Sequence, residues 1–232
     1  MITEQEFLKN LDVLRDKLAT SCSNSNRSFK DVSILPVTKN WPVNAVSYAC
    51  RAGFKRVGEN RVQEAISKQD DAVDTIINWD LIGHLQSNKV KFVVNRFQRI
   101  QTVDSIKLLT KLDAALSRAN AQISILIQVN TGMDPAKSGI SEEKCEELLV
   151  QALELKTINV DGFMTIAPFS PENKSVARNA FCKLRKLRDK MRSIYKIPLN
   201  ELSMGMSGDL DEAVREGSTM IRVGSALYGK RS

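Results

Sequence analysis

Short apolar runs alternate with longer amphipathic stretches along most of this chain. The opening stretch repeats apolar residues at helical spacing and predicts a helix ahead of the first strand: Phe7, Leu8, Leu11, Leu14 and Leu18. Eight later runs have the length and composition of buried strands, at 32–37, 55–58, 79–83, 98–103, 123–129, 159–165, 200–203 and 219–223. Helical spacing fills the intervals at 43–52, 61–75, 87–95, 105–120, 141–156, 172–194 and 209–216. Strands that alternate with helices predict an α/β protein with a parallel sheet.

The eightfold β/α repeat predicts a closed barrel. Eight such units close most simply as a TIM (β/α)8 barrel, here with an extra N-terminal helix. A doubly wound open sheet is the main alternative, but it normally carries a glycine-rich turn after the first strand, and Val37-Thr38-Lys39-Asn40 has no glycine. The length of 232 residues and the 42% hydrophobic content suit one core, so we expect residues 1–232 to form a single domain.

Composition argues against several classes of protein. Residues 1–6 are acidic and polar, and no apolar run approaches the length of a bilayer span, so we expect a cytoplasmic protein without a membrane segment. The four cysteines lie far apart, and none of them clusters with the only histidine, His84. This spacing argues against a zinc site or a disulfide framework, and we expect no metal.

Most of the formal net charge of +7 comes from one segment. Residues 183–196 contain seven lysines and arginines against a single acid, Asp189, and apolar residues recur at helical spacing between them. The charges therefore line the outer face of an amphipathic helix, which is usually a solvated surface. Residues 183–194 carry no aromatic side chain that could stack on bases, so we expect no nucleic-acid partner. Binding of nucleic acid or of a membrane surface by this helix is the least favoured alternative.

Lys39 comes directly after the first predicted strand. On this segment alone, a solvated lysine that opens a loop is the more usual structure. In a barrel, however, the C-terminal ends of all eight strands face one site, and a partly buried lysine there can condense with an aldehyde. The other strand ends also carry polar or small residues: Gly58, Glu59, Asn60, Gly83, His84, Asp104, Asn130, Thr165, Ser203, Met204, Arg222 and Gly224.

The loops after the seventh and eighth strands have the composition of a phosphate site. The first contains Ser207 and Gly208, and the second contains Gly224 and Ser225. Loops at these two positions of a barrel frequently bind phosphate, because glycines let backbone N–H groups approach and serine hydroxyls add donors. The alternative is that the glycines only serve tight turns. A lysine on the first strand, a phosphate site and Arg222 together predict pyridoxal 5′-phosphate as the cofactor.

Eight sequence blocks occur in an order that is typical of a known family: Val37–Lys39, Gly58–Glu64, Ile82–Lys89, Gln128–Asn130, Lys137–Gly139, Gly162–Ile166, Leu202–Ser207 and Arg222–Gly229. On these blocks the whole chain resembles the YggS/PROSC family of pyridoxal phosphate homeostasis proteins, which share the alanine racemase N-terminal barrel. Two departures stand out: Asp80 follows Trp79 where the family usually has histidine, and Thr38 replaces the usual serine before the lysine.

The resemblance implies a role for particular side chains. It implies that Lys39 forms the Schiff base and that Arg222 faces the pyridine nitrogen of the cofactor. It implies further cofactor contacts by Ser207, Gly224 and Ser225 at the phosphate and by Asn60 and Met204 along the cofactor. Further candidates for lining the pocket are His84, Asn130, Thr165, Ser203 and Gly208. Two alternatives stay open, since Asn60 is equally suited to cap the next helix and His84 to serve as an ordinary hydrogen-bonding residue.

The resemblance also bears on catalysis. Arginine can only donate hydrogen bonds, so beside the ring nitrogen it favours an unprotonated pyridine and a weak electron sink. Alanine racemases complete their site with a second domain and a tyrosine base, and this sequence ends directly after the eighth strand. We therefore expect a protein that carries pyridoxal 5′-phosphate as a lysine Schiff base in vitamin B6 homeostasis, without evident catalysis.

The sequence leaves other functions open. A weak racemase or lyase that acts on amino acids, with Lys39 as a base, is the main one. If the protein delivers its cofactor, its partners are pyridoxal-phosphate-dependent apoenzymes. We expect a monomer because no long apolar surface segment demands association, and a dimer is left open.

Overall fold

Eight parallel strands form a nearly closed barrel with helices between them. The computed structural model describes residues 2–72 and 75–229. Its strands are β1 Ser33–Pro36, β2 Arg56–Glu59, β3 Asn78–Leu81, β4 Arg99–Val103, β5 Ile123–Gln128, β6 Ile158–Met164, β7 Glu201–Ser203 and β8 Met220–Val223. The helices are α1 Glu4–Ser23, α2 Asn44–Arg51, α3 Val62–Asp71, α4 Ile106–Arg118, α5 Glu142–Leu153, α6 Lys174–Tyr195, α7 Leu210–Arg215 and α8 Ser225–Tyr228. Short 3₁₀ helices occupy Phe29–Asp31 and Ser87–Phe92.

The strands follow one another around the barrel, and the first meets the last. The order is β1-β8-β7-β6-β5-β4-β3-β2, and β1 pairs with β8 through Pro36 and Val223. A parallel bridge between Val37 and Gly58 joins the two ends of the sheet, where the Thr38 N–H donates to the Gly58 carbonyl oxygen at 3.0 Å. The predicted TIM barrel and its extra N-terminal helix are confirmed.

Two predicted helices end differently in the structure. The segment predicted as a helix at 87–95 forms the 3₁₀ helix and then a turn, and Asn95 adopts a left-handed φ of 60°. Its valines, at 90, 93 and 94, are β-branched and weak helix formers, so hydrophobic spacing alone overstates the helix. The helix predicted at 61–75 ends at Asp71, and residues 73 and 74 lie outside the described part of the chain. Helix α8 was too short to produce a periodic signal.

The inside of the barrel is mostly polar, whereas the space between strands and helices is apolar. Within the barrel, a small apolar cluster contains Leu35, Val37, Ile82 and Met220. Around it the structure buries polar or charged side chains: Asp80, Arg99, Gln101, Thr165, Ser203 and Arg222. Buried polar groups are tolerated only when they are hydrogen-bonded, so these side chains form continuous networks.

Asp80 is the centre of one such network. Its side chain is fully buried and points to the same interior face as Ile82, as strand alternation predicts. The carboxylate accepts hydrogen bonds from Arg56 Nη1 at 2.8 Å, Arg99 Nε at 2.9 Å and Gln101 Nε2 at 2.7 Å. Arg99 also contacts Glu201 at 3.2 Å. Because several donors surround it, an aspartate is accommodated at the position where the resembled family has histidine.

Helix α1 holds the last helix of the chain against the barrel. The ring of Phe7 stacks on that of Tyr228 with centroids 5.2 Å apart, and Asn10 Nδ2 donates to the Leu227 carbonyl oxygen at 3.0 Å. Both rings are buried. The extra helix therefore supports α8, which begins at Ser225.

The basic face of α6 is partly paired with acids of neighbouring helices. Lys183 and Lys190 lie 3.9 Å from Glu142 and Glu146 of α5. Arg185 pairs at 3.1 Å with Glu216, which follows α7. The positive excess of this helix is thus smaller than its sequence indicates, although the absence of a nucleic-acid partner stays a prediction. Among the described residues, no helix combines the length and hydropathy needed to cross a bilayer.

Gly162 lies where β6 skips one residue of pairing against β5 and approaches β7. A Cβ atom built there would come within 2.0 Å of the Glu201 carbonyl oxygen, which is backbone and cannot move aside. We expect Gly162→Ala to lower the free energy of unfolding by about 2 kcal/mol or more, because two strands would have to separate.

Urea unfolding measures this effect. Gly208→Ala is the matched control, since a Cβ built at Gly208 has no atom within 4 Å. Equal stabilities of the two variants would contradict the steric interpretation.

Candidate functional site

The ends of β1, β8 and β7 lie side by side at one edge of the barrel, and some of the predicted site residues lie on or just after them. Lys39 is half-buried and lies two residues beyond Val37. The Val37 N–H donates to the Val223 carbonyl oxygen at 2.8 Å, which sets Gly224 beside the end of β1. A Cβ on Gly224 would lie only 3.4 Å from the Val37 carbonyl oxygen. The glycine therefore lets the two strand ends approach closely.

Arg222 points into the barrel below this edge and is 4% exposed. Its Nη1 donates to the carbonyl and hydroxyl oxygens of Ser203 at 2.7 and 2.8 Å, and its Nη2 donates to the Thr165 carbonyl oxygen at 2.9 Å. All three acceptors are neutral, and in residues 2–72 and 75–229 no carboxylate forms an ion pair with it. Burial lowers the pKa of Arg222 to about 10, and Asp209 opposes this shift, so the guanidinium stays charged at neutral pH.

Ser203 and Thr165 support Arg222. The Ser203 hydroxyl donates to Gln101 Oε1 at 2.6 Å, and Gln101 in turn donates to Asp80. The Thr165 hydroxyl donates to the Val129 carbonyl oxygen at 2.7 Å. Both side chains are fully buried. The structure thus places them behind the arginine, where they fix its direction.

The loops after β7 and β8 bring two serine hydroxyls together. Ser207 Oγ lies 3.4 Å from Ser225 Oγ, and Ser225 is exposed. Asp209 Oδ1 accepts a hydrogen bond from the Met206 N–H at 2.6 Å and holds the first loop, and burial raises the pKa of this carboxyl group. Gly208 is also exposed and has open space around it. Two hydroxyls beside open space are suited to an anion with several oxygen atoms.

Three further predicted residues are placed in different ways. His84 is 55% exposed at the rim, 3.8 Å from Asp104, whose pKa is raised by burial. Asn60 is half-buried, and because Arg61 occupies the N-cap of α3, the capping alternative for Asn60 is wrong. Asn130 uses its side-chain amide within the following loop, donating to the Asp134 carbonyl oxygen at 2.9 Å.

Met204 has the weakest structural support as a ligand contact. Its side chain is fully buried in the main hydrophobic cluster, on the face of β7 opposite Ser203. Its N–H donates to the Met220 carbonyl oxygen at 3.1 Å, and its own carbonyl oxygen accepts from Ser218 Oγ at 2.7 Å. Its contacts in the described chain are therefore internal, and a cofactor contact by Met204 stays a prediction.

The sequence did not single out a buried charged cluster beside Lys39. Lys68 Nζ on α3 lies 2.5 Å from Glu59 Oε1 and 2.8 Å from Glu64 Oε1, and it donates to the Thr38 carbonyl oxygen at 2.7 Å. Glu59 is fully buried, which raises its pKa, and the Lys68 ammonium opposes this shift. The spacing of Glu64 and Lys68, four residues apart on a helix, was the one available signal.

Known proteins share this sequence and fold over nearly the whole chain. The family model described as "Alanine racemase, N-terminal domain" matches residues 10–232. A pyridoxal phosphate homeostasis protein of Aquifex aeolicus (strain VF5) is 34% identical over 223 residues, which cover 96% of this chain and 97% of that protein.

Two solved structures of PipY from Synechococcus elongatus PCC7942 are also similar. The structure without PLP gives a TM-score of 0.85 at 35% identity and covers 95% of this chain and 99% of that chain. The structure with PLP bound gives a TM-score of 0.81 at 34% identity and covers 91% of this chain and 100% of that chain.

The serines of the site divide into a buried support and an exposed pair, and this division predicts different effects on stability. Ser203→Ala leaves Gln101 Oε1 buried without its donor and removes an acceptor from Arg222. We expect a loss of about 1–3 kcal/mol in the free energy of unfolding, measured by urea titration of the ligand-free protein.

Ser225→Ala is the matched control, because its hydroxyl is exposed and makes only the 3.4 Å contact with Ser207. We expect this variant to unfold as the parent protein does. A comparable loss of stability in both variants would argue against the buried network.

Proposed function

This chain belongs to the alanine racemase N-terminal-domain family, in the group of pyridoxal phosphate homeostasis proteins, and we propose that it binds pyridoxal 5′-phosphate and takes part in vitamin B6 homeostasis. The observation that supports the proposal is that Lys39, the buried Arg222 and the hydroxyls of Ser207 and Ser225 lie on or just after three neighbouring strands, β1, β8 and β7. The PLP-bound PipY structure, at 34% identity, supports the same cofactor for this chain.

The residues present fit this cofactor. Lys39 offers the amine, Ser207 and Ser225 offer hydroxyl donors to a phosphate, and Gly224 lets the backbone approach. Arg222 is a buried cation whose described partners are all neutral oxygens, so it has charge available for an anionic ligand. Each reactive part of the cofactor therefore has a matching group within one site.

Each of these side chains has a separate task in the proposed function. Bound pyridoxal phosphate supplies an aldehyde that bonds reversibly to a lysine amine. Lys39 would hold that aldehyde, and Ser207 with Ser225 would orient the phosphate. Arg222, held by Ser203 and Thr165, would donate toward the ring nitrogen and keep it unprotonated. This arrangement favours retention of the cofactor over strong electron withdrawal.

We propose that the protein holds and releases the cofactor and does not use it for catalysis. Racemisation needs a second proton-transfer group opposite the lysine. In the described part of the chain, the Tyr228 hydroxyl is buried and donates to the Ala45 carbonyl oxygen at 3.1 Å, and burial raises its pKa. Tyr195 lies on α6 and donates to Glu146 at 2.8 Å. Neither phenol is available to a substrate, and the proposed recipients of the cofactor are apoenzymes that require it.

Borohydride reduction tests the assignment of Lys39. We expect the purified protein with pyridoxal phosphate to be yellow, and reduction to fix the cofactor on the peptide that contains Lys39, as read by mass spectrometry. Lys39→Arg keeps the positive charge but removes the amine chemistry, so this variant should stay colourless and unlabelled. A label on any other lysine, with Lys39 unmodified, would overturn the assignment.

Incubation with alanine in deuterated water tests the absence of catalysis. We expect the holoprotein to show no sustained Cα exchange on L- or D-alanine, because the hydroxyls of Tyr195 and Tyr228 are engaged in internal hydrogen bonds. A commercial alanine racemase in the same buffer is the positive control. Exchange at an enzyme-like rate that is lost in Lys39→Arg would instead establish the racemase alternative.

A further inference from the structure

We propose that the buried cluster of Lys68, Glu59 and Glu64 is a positioning device that presents the Lys39 amine to the cofactor aldehyde. The inference rests on the proposed function in one respect, which is that Lys39 is the amine that reacts. The cluster itself is separate from the groups expected to contact the cofactor, since its members lie on β2 and α3.

The Lys68 ammonium directs each of its donors to a different acceptor. Its side chain is 8% exposed, and Nζ contacts Glu59 Oε1, Glu64 Oε1 and the Thr38 carbonyl oxygen at 2.5, 2.8 and 2.7 Å. A lysine ammonium has three donors, so this set uses all of them. The nitrogen therefore cannot shift without lengthening or breaking at least one of these hydrogen bonds.

The cluster forms hydrogen bonds with the residues on both sides of Lys39. Before the lysine, the Thr38 hydroxyl donates to Glu59 Oε1 at 2.7 Å, and the Thr38 carbonyl oxygen accepts from Lys68. After the lysine, the Asn40 N–H donates to Glu64 Oε1. The flanking residues are thus fixed to two different elements, β2 and α3.

The segment between these anchors is a tight turn. The Trp41 N–H donates to the Thr38 carbonyl oxygen at 3.0 Å, which closes a four-residue turn with Lys39 in its second position. Asn40 adopts a left-handed φ of 60°, which asparagine tolerates better than most residues. A turn that is closed internally and held at both ends gives the Lys39 backbone one direction.

This direction matters for the rate of capture. Capture joins Lys39 Nζ to the aldehyde carbon. The aldehyde oxygen takes up the two protons of the neutral amine and leaves as one water molecule. The nitrogen must approach the carbon at close range and in the right direction, and errors near 1 Å cost roughly a hundredfold in rate. A purely structural cluster would stabilise the fold without affecting this step.

The test compares two variants at Thr38. Thr38→Val keeps the shape of the side chain but removes the bond to Glu59, and Thr38→Ser restores a hydroxyl. We expect Thr38→Val to lower the rate constant for appearance of the visible band of the bound cofactor about tenfold, and Thr38→Ser to regain most of it. Thr110→Val, at an exposed threonine of α4, controls for the substitution itself.

A double-variant cycle separates positioning from general damage to the site. In Lys39→Ala protein, pyridoxal phosphate binds without the covalent bond, and equilibrium dialysis measures its affinity. If the cluster acts through Lys39, Thr38→Val should leave this non-covalent affinity unchanged. An equal loss of affinity in the presence and absence of Lys39 would overturn the inference, as would a normal capture rate in Thr38→Val.

Lys68→Met provides an independent variant. We expect a larger loss of capture rate than in Thr38→Val, because all three contacts of the ammonium disappear. Thermal unfolding shows whether the protein remains folded, and a folded variant with unchanged capture would contradict the inference. Absence of any lysine-bound cofactor in the parent protein would instead refute the proposed function.

Discussion

The buried carboxylate of Asp80 fixes the direction of a hydrogen-bond chain that runs through the barrel to Arg222. A carboxylate only accepts, so Gln101 must turn its amide nitrogen toward Asp80 and its oxygen toward Ser203. The Ser203 hydroxyl then donates its proton to Gln101, so the lone pairs of the Ser203 oxygen are available to accept from the Arg222 guanidinium. Each link has one consistent donor and one acceptor, and a neutral group in place of the carboxylate would remove the reason for that order.

Two separate supports therefore meet at the site. Arg222 is held by Ser203 of β7 and by Thr165, which follows β6, whereas the turn around Lys39 is held by β2 and α3. The two supports share no side chain in the described contacts. Supports of this kind hold the backbone of the Lys39 turn and the Arg222 guanidinium in place before any ligand arrives, which reduces the cost of ordering them on binding.

Sequence patterns predicted the frame of the molecule better than the contacts within it. Every strand lies within two residues of its predicted bounds, because apolar runs between amphipathic stretches are a strong signal. The positions of the loops that contain Ser207 and Ser225 were also predicted, because in a barrel they follow the seventh and eighth strands. Strand alternation places Met204 opposite Ser203, so the direction of its side chain was predictable. The hydrogen bonds that Asn130 makes within its own loop were not predictable. The contact of Lys68 with Thr38 was not predictable, because a lysine on an amphipathic helix usually faces water.

The pairing of β1 with β8 has a consequence for how the protein is made. Lys39 follows the first strand and Ser225 follows the last, yet the two strands are neighbours in the sheet. During translation, Lys39, the proposed amine, is synthesised early, and Ser225, the proposed phosphate ligand, follows nearly two hundred residues later. A nascent chain thus holds an incomplete site until its eighth strand has left the ribosome and docked. Tight cofactor retention would then be a property of finished molecules, and loading would report that the barrel has closed.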